Sequence, residues 1–391
     1  KGVSYYTNGN IEYEGYFKAN HPDGQGVLYS ETEKGVKIYE GGFQRGRYHG
    51  TGILYLSTET YEGEFKQGKK HGHGILKYNN LQWGVKFEGI FNLDDMEDGK
   101  GSLRDAEGRL IYEGSIKKNL YDGEGTKYYP NGEIEYKGTW KEGIIDGHGT
   151  KYYENGTVEY EGDFLRGKYH GNGKLYRKNQ TIQYEGQFYK GIYHGVGTIY
   201  DEKGNIIYQG AIKEGKYHGN GKLYFPNSKK LKYEGEFKEN IFSGFGIKYS
   251  KKGYKKYEGH FTDSKFDGEG TLFHMDGQTT KYSGQLKMKK FHGKGVLYNH
   301  AGNIIYDGEF SEGKYHGKGI LYYQDTPNAI HYEGNFVNGE MQGEGELRYL
   351  NGNVQYKGEF KGGLFHGRGI LYYEDGKIKS QGVFVLGNFQ P

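Results

Sequence analysis

Histidine recurs in one setting along this chain, the tetrapeptide H-G-x-G. Imidazole is a common metal ligand, so this series raises the question of a metal site that is used many times. The eight copies begin at His49, His71, His170, His194, His218, His292, His316 and His366. A structural zinc site takes four ligands from closely spaced Cys and His residues. The chain has no Cys and shows no such spacing. We therefore predict no metal and no other cofactor.

The glycines of H-G-x-G also resemble a phosphate-binding loop. Such a loop opens a helix, and in its best-known form Lys and then Ser or Thr follow the glycines. No helix-forming segment follows these glycines, because further glycines interrupt every stretch. The chain has no thiol nucleophile and no Ser in a G-x-S-x-G setting. We predict no catalytic residue, no small-molecule substrate and no enzyme.

Composition separates this chain from disordered and membrane-spanning classes. Apolar residues make up 34% of 391 residues and Gly contributes 71, which leaves little for a thick core. The 42 Tyr and 21 Phe are far too many for a disordered tail. Basic and acidic residues number 53 and 50, so charge does not favour nucleic acid as a partner. The sequence contains no run of 18 apolar residues, which is about the length that a membrane-spanning helix needs.

A repeat of about 24 residues organises the whole chain, with consensus Y-E-G-x-F-x-x-G-x-x-H-G-x-G-x-x-Y. Its marker is the glycine of Y-[EK]-G and related tripeptides, found at Gly15, Gly41, Gly63, Gly89, Gly114, Gly138, Gly162, Gly186, Gly210, Gly235, Gly259, Gly284, Gly308, Gly334, Gly358 and Gly382. We interpret residues 1–391 as one array: a partial copy at 1–9, complete copies over about 13–373 and a truncated copy at 380–391. Because both ends cut through a copy, we expect a longer protein, or capping units outside this sequence.

Alternation within one copy predicts a β-hairpin. Placing Gly162 opposite Gly173 also puts Tyr160 opposite Leu175 and Phe164 opposite Gly171, so that large rings lie across glycines. A turn within residues 165–169 contains Gly167, which suits a positive φ. A one-residue slip would turn the rings toward polar residues, so the pattern selects its own register.

The connections carry turn signals of their own, such as Asn131-Gly132 and Asp375-Gly376. The predicted fold is therefore all-β: an elongated, twisted and curved single-layer antiparallel meander of about fifteen to sixteen hairpins. Thirty strands would extend on the order of 140 Å. Corresponding histidines would lie about 9–10 Å apart, too far to share an ion. An acidic segment in the fourth copy (Asp94, Asp95, Glu97 and Asp98) lacks EF-hand spacing, and we interpret it as a solvated loop.

Two kinds of surface are candidate interaction sites. The first is the ring face of the repeats, which we expect to stack against partner side chains; its representatives are Tyr160, Phe164, Tyr184, Phe188, Tyr306 and Phe310. The second is a basic patch formed where two neighbouring connections share an edge, with Lys229, Lys230, Lys232, Lys251, Lys252, Lys255 and Lys256. This patch suits an acidic protein tail or, more weakly, anionic lipid.

The repeat unit resembles the MORN motif (membrane occupation and recognition nexus), and the resemblance covers nearly the whole chain. About seven positions per unit recur; departures include Asp or Ser in place of His, as at Asp146 and Ser243. MORN arrays are found in ciliary radial spokes and in parasite cytoskeleton. The resemblance therefore implies a non-catalytic β-hairpin scaffold for protein–protein interaction in a cytoplasmic, cytoskeletal or axonemal assembly.

Two alternatives remain open at this point. The family name and junctophilin-like members imply a module that tethers phospholipid membranes. Other family members carry a lipid kinase or methyltransferase domain, so the array could regulate an enzyme domain outside this sequence. The interleaving of Lys with Glu and the lack of a hydrophobic anchor favour the scaffold.

Overall fold

The computed structural model describes residues 1–78, 86–94, 99–105, 107–118 and 120–391, and the fold it shows there is entirely β. The chain divides into two compact units, residues 1–192 and 193–391. No helix occurs in the described residues. Of the acidic segment, Asp95, Glu97 and Asp98 lie outside them.

The described residues of the first unit form sixteen strands. They are β1 (Gly2–Tyr5), β2 (Ile11–Lys18), β3 (His21–Tyr29), β4 (Lys37–Gln44), β5 (Arg47–Tyr55), β6 (Glu59–Lys66), β7 (Lys69–Tyr78), β8 (Lys86–Phe91), β9 (Gly99–Arg104), β10 (Leu110–Lys117), β11 (Leu120–Tyr128), β12 (Ile134–Lys141), β13 (Ile144–Tyr152), β14 (Val158–Leu165), β15 (Lys168–Tyr176) and β16 (Ile182–Tyr189).

The second unit contains seventeen strands, and the first of them begins at the unit boundary. They are β17 (Ile192–Tyr200), β18 (Ile206–Lys213), β19 (Lys216–Tyr224), β20 (Leu231–Lys238), β21 (Ile241–Tyr249), β22 (Lys255–Thr262), β23 (Lys265–Phe273), β24 (Thr280–Lys287), β25 (Lys290–Tyr298), β26 (Ile304–Ser311), β27 (Lys314–Tyr322), β28 (Ile330–Val337), β29 (Glu340–Arg348), β30 (Val354–Lys361), β31 (Leu364–Tyr372), β32 (Ile378–Val385) and β33 (Asn388–Gln390).

Within each unit, every strand pairs antiparallel with the next strand along the chain. In the copy that contains Tyr160, β14 pairs with β15, and β15 pairs with β16 of the next copy. The same alternation of hairpin and connection runs through β17 to β33. The prediction of an all-β antiparallel meander of hairpin repeats is confirmed.

The register inside the hairpin agrees with the prediction at two positions and differs at the third. Gly162 lies opposite Gly173 and Tyr160 lies opposite Leu175, as expected. Phe164, however, lies opposite Tyr169, so its predicted pairing with Gly171 is wrong. The returning strand carries a β-bulge at this point, where Gly171 adopts a φ of 56°. Gly171 instead lies opposite Phe188, the corresponding ring of the next copy.

The two kinds of turn differ in type. In the hairpin, Leu165 pairs with Lys168, and Arg166 and Gly167 both have positive φ, 48° and 77°. This is a two-residue type I′ turn, tighter than the predicted segment 165–169. In the connection at Asn131-Gly132, the glycine has a φ of 90° and the Asn131 side chain accepts a hydrogen bond from the N–H of Glu133 at 3.0 Å. Both glycines therefore occupy left-handed positions, as predicted.

Within each unit, the core is a row of aromatic rings in which rings of one hairpin contact rings of the next. Tyr160 stacks on Tyr169 with 3.9 Å between ring centroids and meets Phe164 and Phe188 edge to face at 5.0 and 5.2 Å. Its hydroxyl donates to the carbonyl of Asp163 at 2.9 Å. A Cβ built on Gly173 would lie 2.2 Å from the Tyr160 Oη. The glycines therefore make room for the ring, which is the expected reason for their recurrence.

We expect the array to lose stability in alkali. Burial raises the pKa of Tyr208, Tyr257 and Tyr332 to about 12, whereas an unfolded phenol titrates near about 10. The folded state then holds protons that the unfolded state releases, so stability is complete below about pH 10 and falls as the pH rises toward 12. Melting temperatures across this range, recorded with tyrosinate absorbance, check the prediction. Reversible ionisation of all tyrosines near pH 10 without loss of β structure would contradict it.

Candidate interaction surfaces

The ring face is a core and not an accessible contact surface. Tyr160, Tyr184 and Tyr306 are completely buried, and Phe164, Phe188 and Phe310 are nearly so. The expectation that these rings stack against partner side chains is therefore wrong. The reason is that each copy is covered by the next: Phe188 of one copy packs on both Tyr160 and Tyr169 of the preceding copy.

The H-G-x-G histidines contribute backbone rather than ligands. The His170 carbonyl lies 3.4 Å from the Tyr160 hydroxyl, and the Tyr61 and Tyr306 hydroxyls lie at the same distance from the carbonyls of His71 and His316. The His170 imidazole Nδ1 is buried and has no hydrogen-bond partner among the described residues. In the described part of the chain, no three or more His, Asp or Glu side chains form a group that could hold a metal ion.

The basic patch lies in the second unit, and its two connections are neighbours as the sequence predicted. The Lys230 ammonium donates a hydrogen bond to the carbonyl oxygen of Lys252 at 3.1 Å. The patch is not uniform, because Lys255 already forms an ion pair with Glu258 at 2.8 Å. The second connection and the strands on either side of it enclose a concave site.

This concave site, which we call the lysine groove, has a volume of about 540 Å³. Its cationic lining is Lys248, Lys251, Lys252, Lys255, Lys256 and Lys281. Its apolar lining includes Phe266, Leu272 and Phe273, and the exposed Met275 lies at its margin. No carboxylate is among the lining residues in the described part of the chain. The groove therefore combines an excess of positive charge with an apolar surface.

Lys248 is the half-buried cation of this groove. Its ammonium lies 5.6 Å from the Phe266 ring centroid and 5.9 Å from that of Phe242, within range of a cation–π interaction. Burial, with the neighbouring charges of Lys289, Lys256 and Lys232, lowers the pKa of Lys248. Within the described residues the Lys248 ammonium makes no hydrogen bond and no ion pair.

Sequence reasoning missed Lys248, Lys281 and Lys289. It identified lysines by their runs in the connections, whereas Lys248 stands alone in β21 opposite Tyr233. Aligning the copies of the repeat could have identified Lys248, because most copies have Leu at this position, as at Leu175 and Leu223. Lys281 is found the same way, since it directly precedes Tyr282 as Lys256 precedes Tyr257.

The described residues include no helical segment that could span a membrane.

A comparison with family models matches the MORN repeat over most of the chain. The matches cover residues 13–32, 39–59, 61–81, 112–134, 136–158, 160–182, 184–206, 208–230, 233–253, 257–279, 282–303, 306–326, 332–354 and 356–378. A MORN repeat variant matches residues 1–19. The copy that begins at Phe87 is unmatched, although β8 and β9 pair there with Gly89 opposite Gly101. No curated protein matches the chain.

Proposed function

Because the chain belongs to the MORN repeat family, a non-catalytic repeat module, we propose that it is a scaffold that binds protein segments along its hairpins. The observation that carries this proposal is a constant core beside positions that vary from copy to copy. The residue that precedes the buried tyrosine is Glu159 in one copy, then Gln183, Ile207 and Lys232 in the next three. A repeated frame with a changing row of side chains is the arrangement by which repeat proteins present extended binding surfaces.

The same position shows how one frame supports different surfaces. Where the residue is Glu159, it accepts a hydrogen bond from the Tyr169 hydroxyl at 2.7 Å and pairs with Lys151 at 3.0 Å. Where it is Lys256, the ring at the corresponding place is Phe266, which has no hydroxyl. The backbone register is the same in both copies, with Gly259 opposite Gly270 as Gly162 is opposite Gly173. The chemistry of the surface therefore changes while the fold does not.

We further propose a cytoplasmic setting in a cytoskeletal or ciliary assembly, such as an axonemal radial spoke. This setting rests on the MORN arrays known from such assemblies. A fluorescently tagged chain expressed in ciliated cells should remain with the axoneme after detergent extraction. Complete release into the soluble fraction would contradict the axonemal setting but would not affect the scaffold proposal.

Affinity capture tests the scaffold proposal itself. We expect the immobilised chain to retain a defined set of proteins from a cell extract at physiological salt, in stoichiometric amounts that survive washing. An immobilised protein of similar size and net charge is the matched control. Recovery of no protein beyond that control would contradict the proposed function.

A tether to anionic lipid is the second candidate, and the lysine groove is the observation that favours it. Sedimentation with anionic vesicles distinguishes the scaffold function from the membrane tether. The experiment compares the intact chain with a variant that has Glu in place of Lys251, Lys252, Lys255 and Lys256. Under the scaffold proposal the intact chain stays in the supernatant at physiological salt. Sedimentation of the intact chain, lost in the variant, would favour the membrane function.

A further inference from the structure

We propose that the lysine groove binds an acidic peptide segment whose carboxylates replace an ion-pair partner that this part of the array lacks. The inference rests on the proposed scaffold function and names the chemistry of one partner. It follows from a comparison of equivalent positions in different copies of the repeat. The three copies concerned have Lys at the position opposite the buried tyrosine: Lys127, Lys151 and Lys248.

Two of these lysines are neutralised by the chain itself. Lys127 pairs with Glu135 at 2.9 Å, and Lys151 pairs with Glu159 at 3.0 Å. Both carboxylates belong to the residue that directly precedes the tyrosine of the next copy. The array therefore has a standard internal way of compensating a lysine at this position.

The third lysine, Lys248, has a positively charged neighbour in place of a carboxylate. The residue that precedes Tyr257 is Lys256, so Lys248 faces a cation where the other two copies place a carboxylate. Lys232 and Lys289 add positive charge to the surroundings of Lys248. A half-buried ammonium without a counterion is unfavourable in the isolated chain, and an anionic partner would remove that cost.

The cations form a row. Lys232, Lys256 and Lys281 each directly precede the tyrosine of successive copies, on β20, β22 and β24. Strands two apart in a sheet are separated by about 9.6 Å, so neighbouring members of the row are about that far apart. A polyproline II peptide repeats every three residues with a rise of about 3.1 Å each, or about 9.3 Å per turn. Carboxylates at every third residue of such a peptide match the row.

The apolar lining adds a second element of recognition. Phe266 stacks on the buried Tyr257 at 4.1 Å, which holds its ring in place, and Leu272 and Phe273 extend the apolar surface. A cleft of about 540 Å³ accommodates one large aliphatic side chain of the peptide beside its carboxylates. The partner is therefore an acidic, extended segment that also carries an apolar residue, rather than a purely polyanionic surface.

Fluorescence anisotropy with a labelled synthetic peptide tests this inference. The probe has Glu at every third position, one Leu and Pro at most other positions; a control probe has Gln in place of Glu. We expect saturable binding of the Glu probe to the whole chain at low salt, weakening as salt rises, and no binding of the Gln probe. Lack of binding by the Glu probe would overturn the proposal.

Three variants sharpen the test. Lys256→Glu recreates the pairing seen between Lys151 and Glu159, so it should reduce binding at least tenfold while leaving the melting temperature unchanged or higher. Lys248→Leu restores the residue found at Leu175 and should weaken binding similarly. Lys318→Glu is the matched control, because this exposed lysine lies opposite Asn335, outside the groove, and should bind within twofold of the parent chain. Equal loss in all three variants would overturn the assignment to the groove.

Anionic vesicles form the last arm of the experiment. Binding of the chain to phosphatidylserine vesicles without binding of the Glu probe would assign the groove to lipid and overturn the peptide proposal. Failure of the Glu probe does not affect the scaffold function, which falls only if affinity capture retains no protein.

Discussion

Gly173→Val should destabilise its hairpin by about 3 kcal/mol, even though valine favours strands and the backbone at Gly173 is one that any residue can adopt. The reason is steric. A Cβ at this position would lie 2.2 Å from the Oη and 2.4 Å from the Cζ of Tyr160, whose ring is completely buried and stacked on Tyr169. The ring would have to leave the core to make room. Thermal unfolding followed by circular dichroism measures the change.

The matched control is Asn172→Val, one residue earlier on the same strand. Asn172 is exposed, and its backbone N–H donates a hydrogen bond to the Asp163 carboxylate at 3.2 Å. The same side chain placed there should change the free energy of unfolding by less than about 0.5 kcal/mol. Equal melting temperatures for the two valine variants would mean that Tyr160 does not lie across Gly173.

The second large effect is expected for Tyr306→Ala in the second unit. This ring is fully buried, stacks on Tyr315 at 3.9 Å and contacts Phe310 and Phe336 edge to face. Its removal leaves a cavity shared by two copies, and buried aromatic-to-alanine changes cost about 3–5 kcal/mol. Because repeats are coupled mainly to their neighbours, we expect hydrogen exchange to accelerate in β26 to β28 first.

Tyr306→Phe separates the ring from its hydroxyl. The hydroxyl donates to the carbonyl of Glu309 at 3.0 Å, a bond whose loss costs about 1 kcal/mol. The array already contains a phenylalanine at this position, the fully buried Phe87. A cost for Tyr306→Phe as large as that for the alanine variant would show that hydrogen bonding, and not ring packing, dominates the core.

Local alternation was enough to predict the hairpin and most of its register. Tyr160 and Gly162 are two residues apart and therefore lie on the same face of the strand. On the returning strand, Leu175 and Gly173 lie opposite them. The bulge at Gly171 was not predictable from a period of two, because a bulge is an interruption of that period. The burial of the rings was also missed, since it depends on the packing of Phe188 from the next copy and not on the single hairpin.

The lysine groove shows the same limit on the functional side. Runs of lysine in the connections marked Lys251 and Lys252, and Lys230 does contact the neighbouring connection. The decisive residue, Lys248, lies inside a strand where a lone lysine carries no signal by itself. That Lys248 lacks a carboxylate partner is seen only when Lys256 is compared with Glu159, the equivalent residue in another copy. This comparison requires the register of the paired strands.

Photo-cross-linking of the Glu probe to the chain tests whether the array binds a protein segment at a defined surface. A photoreactive leucine analogue replaces the Leu of the probe, and mass spectrometry identifies the cross-linked residues. We expect cross-links concentrated around the lysine groove, at β21 to β24 and at Met275 in the turn after β23. Cross-links scattered over lysines of both units, unchanged by Lys256→Glu, would contradict it.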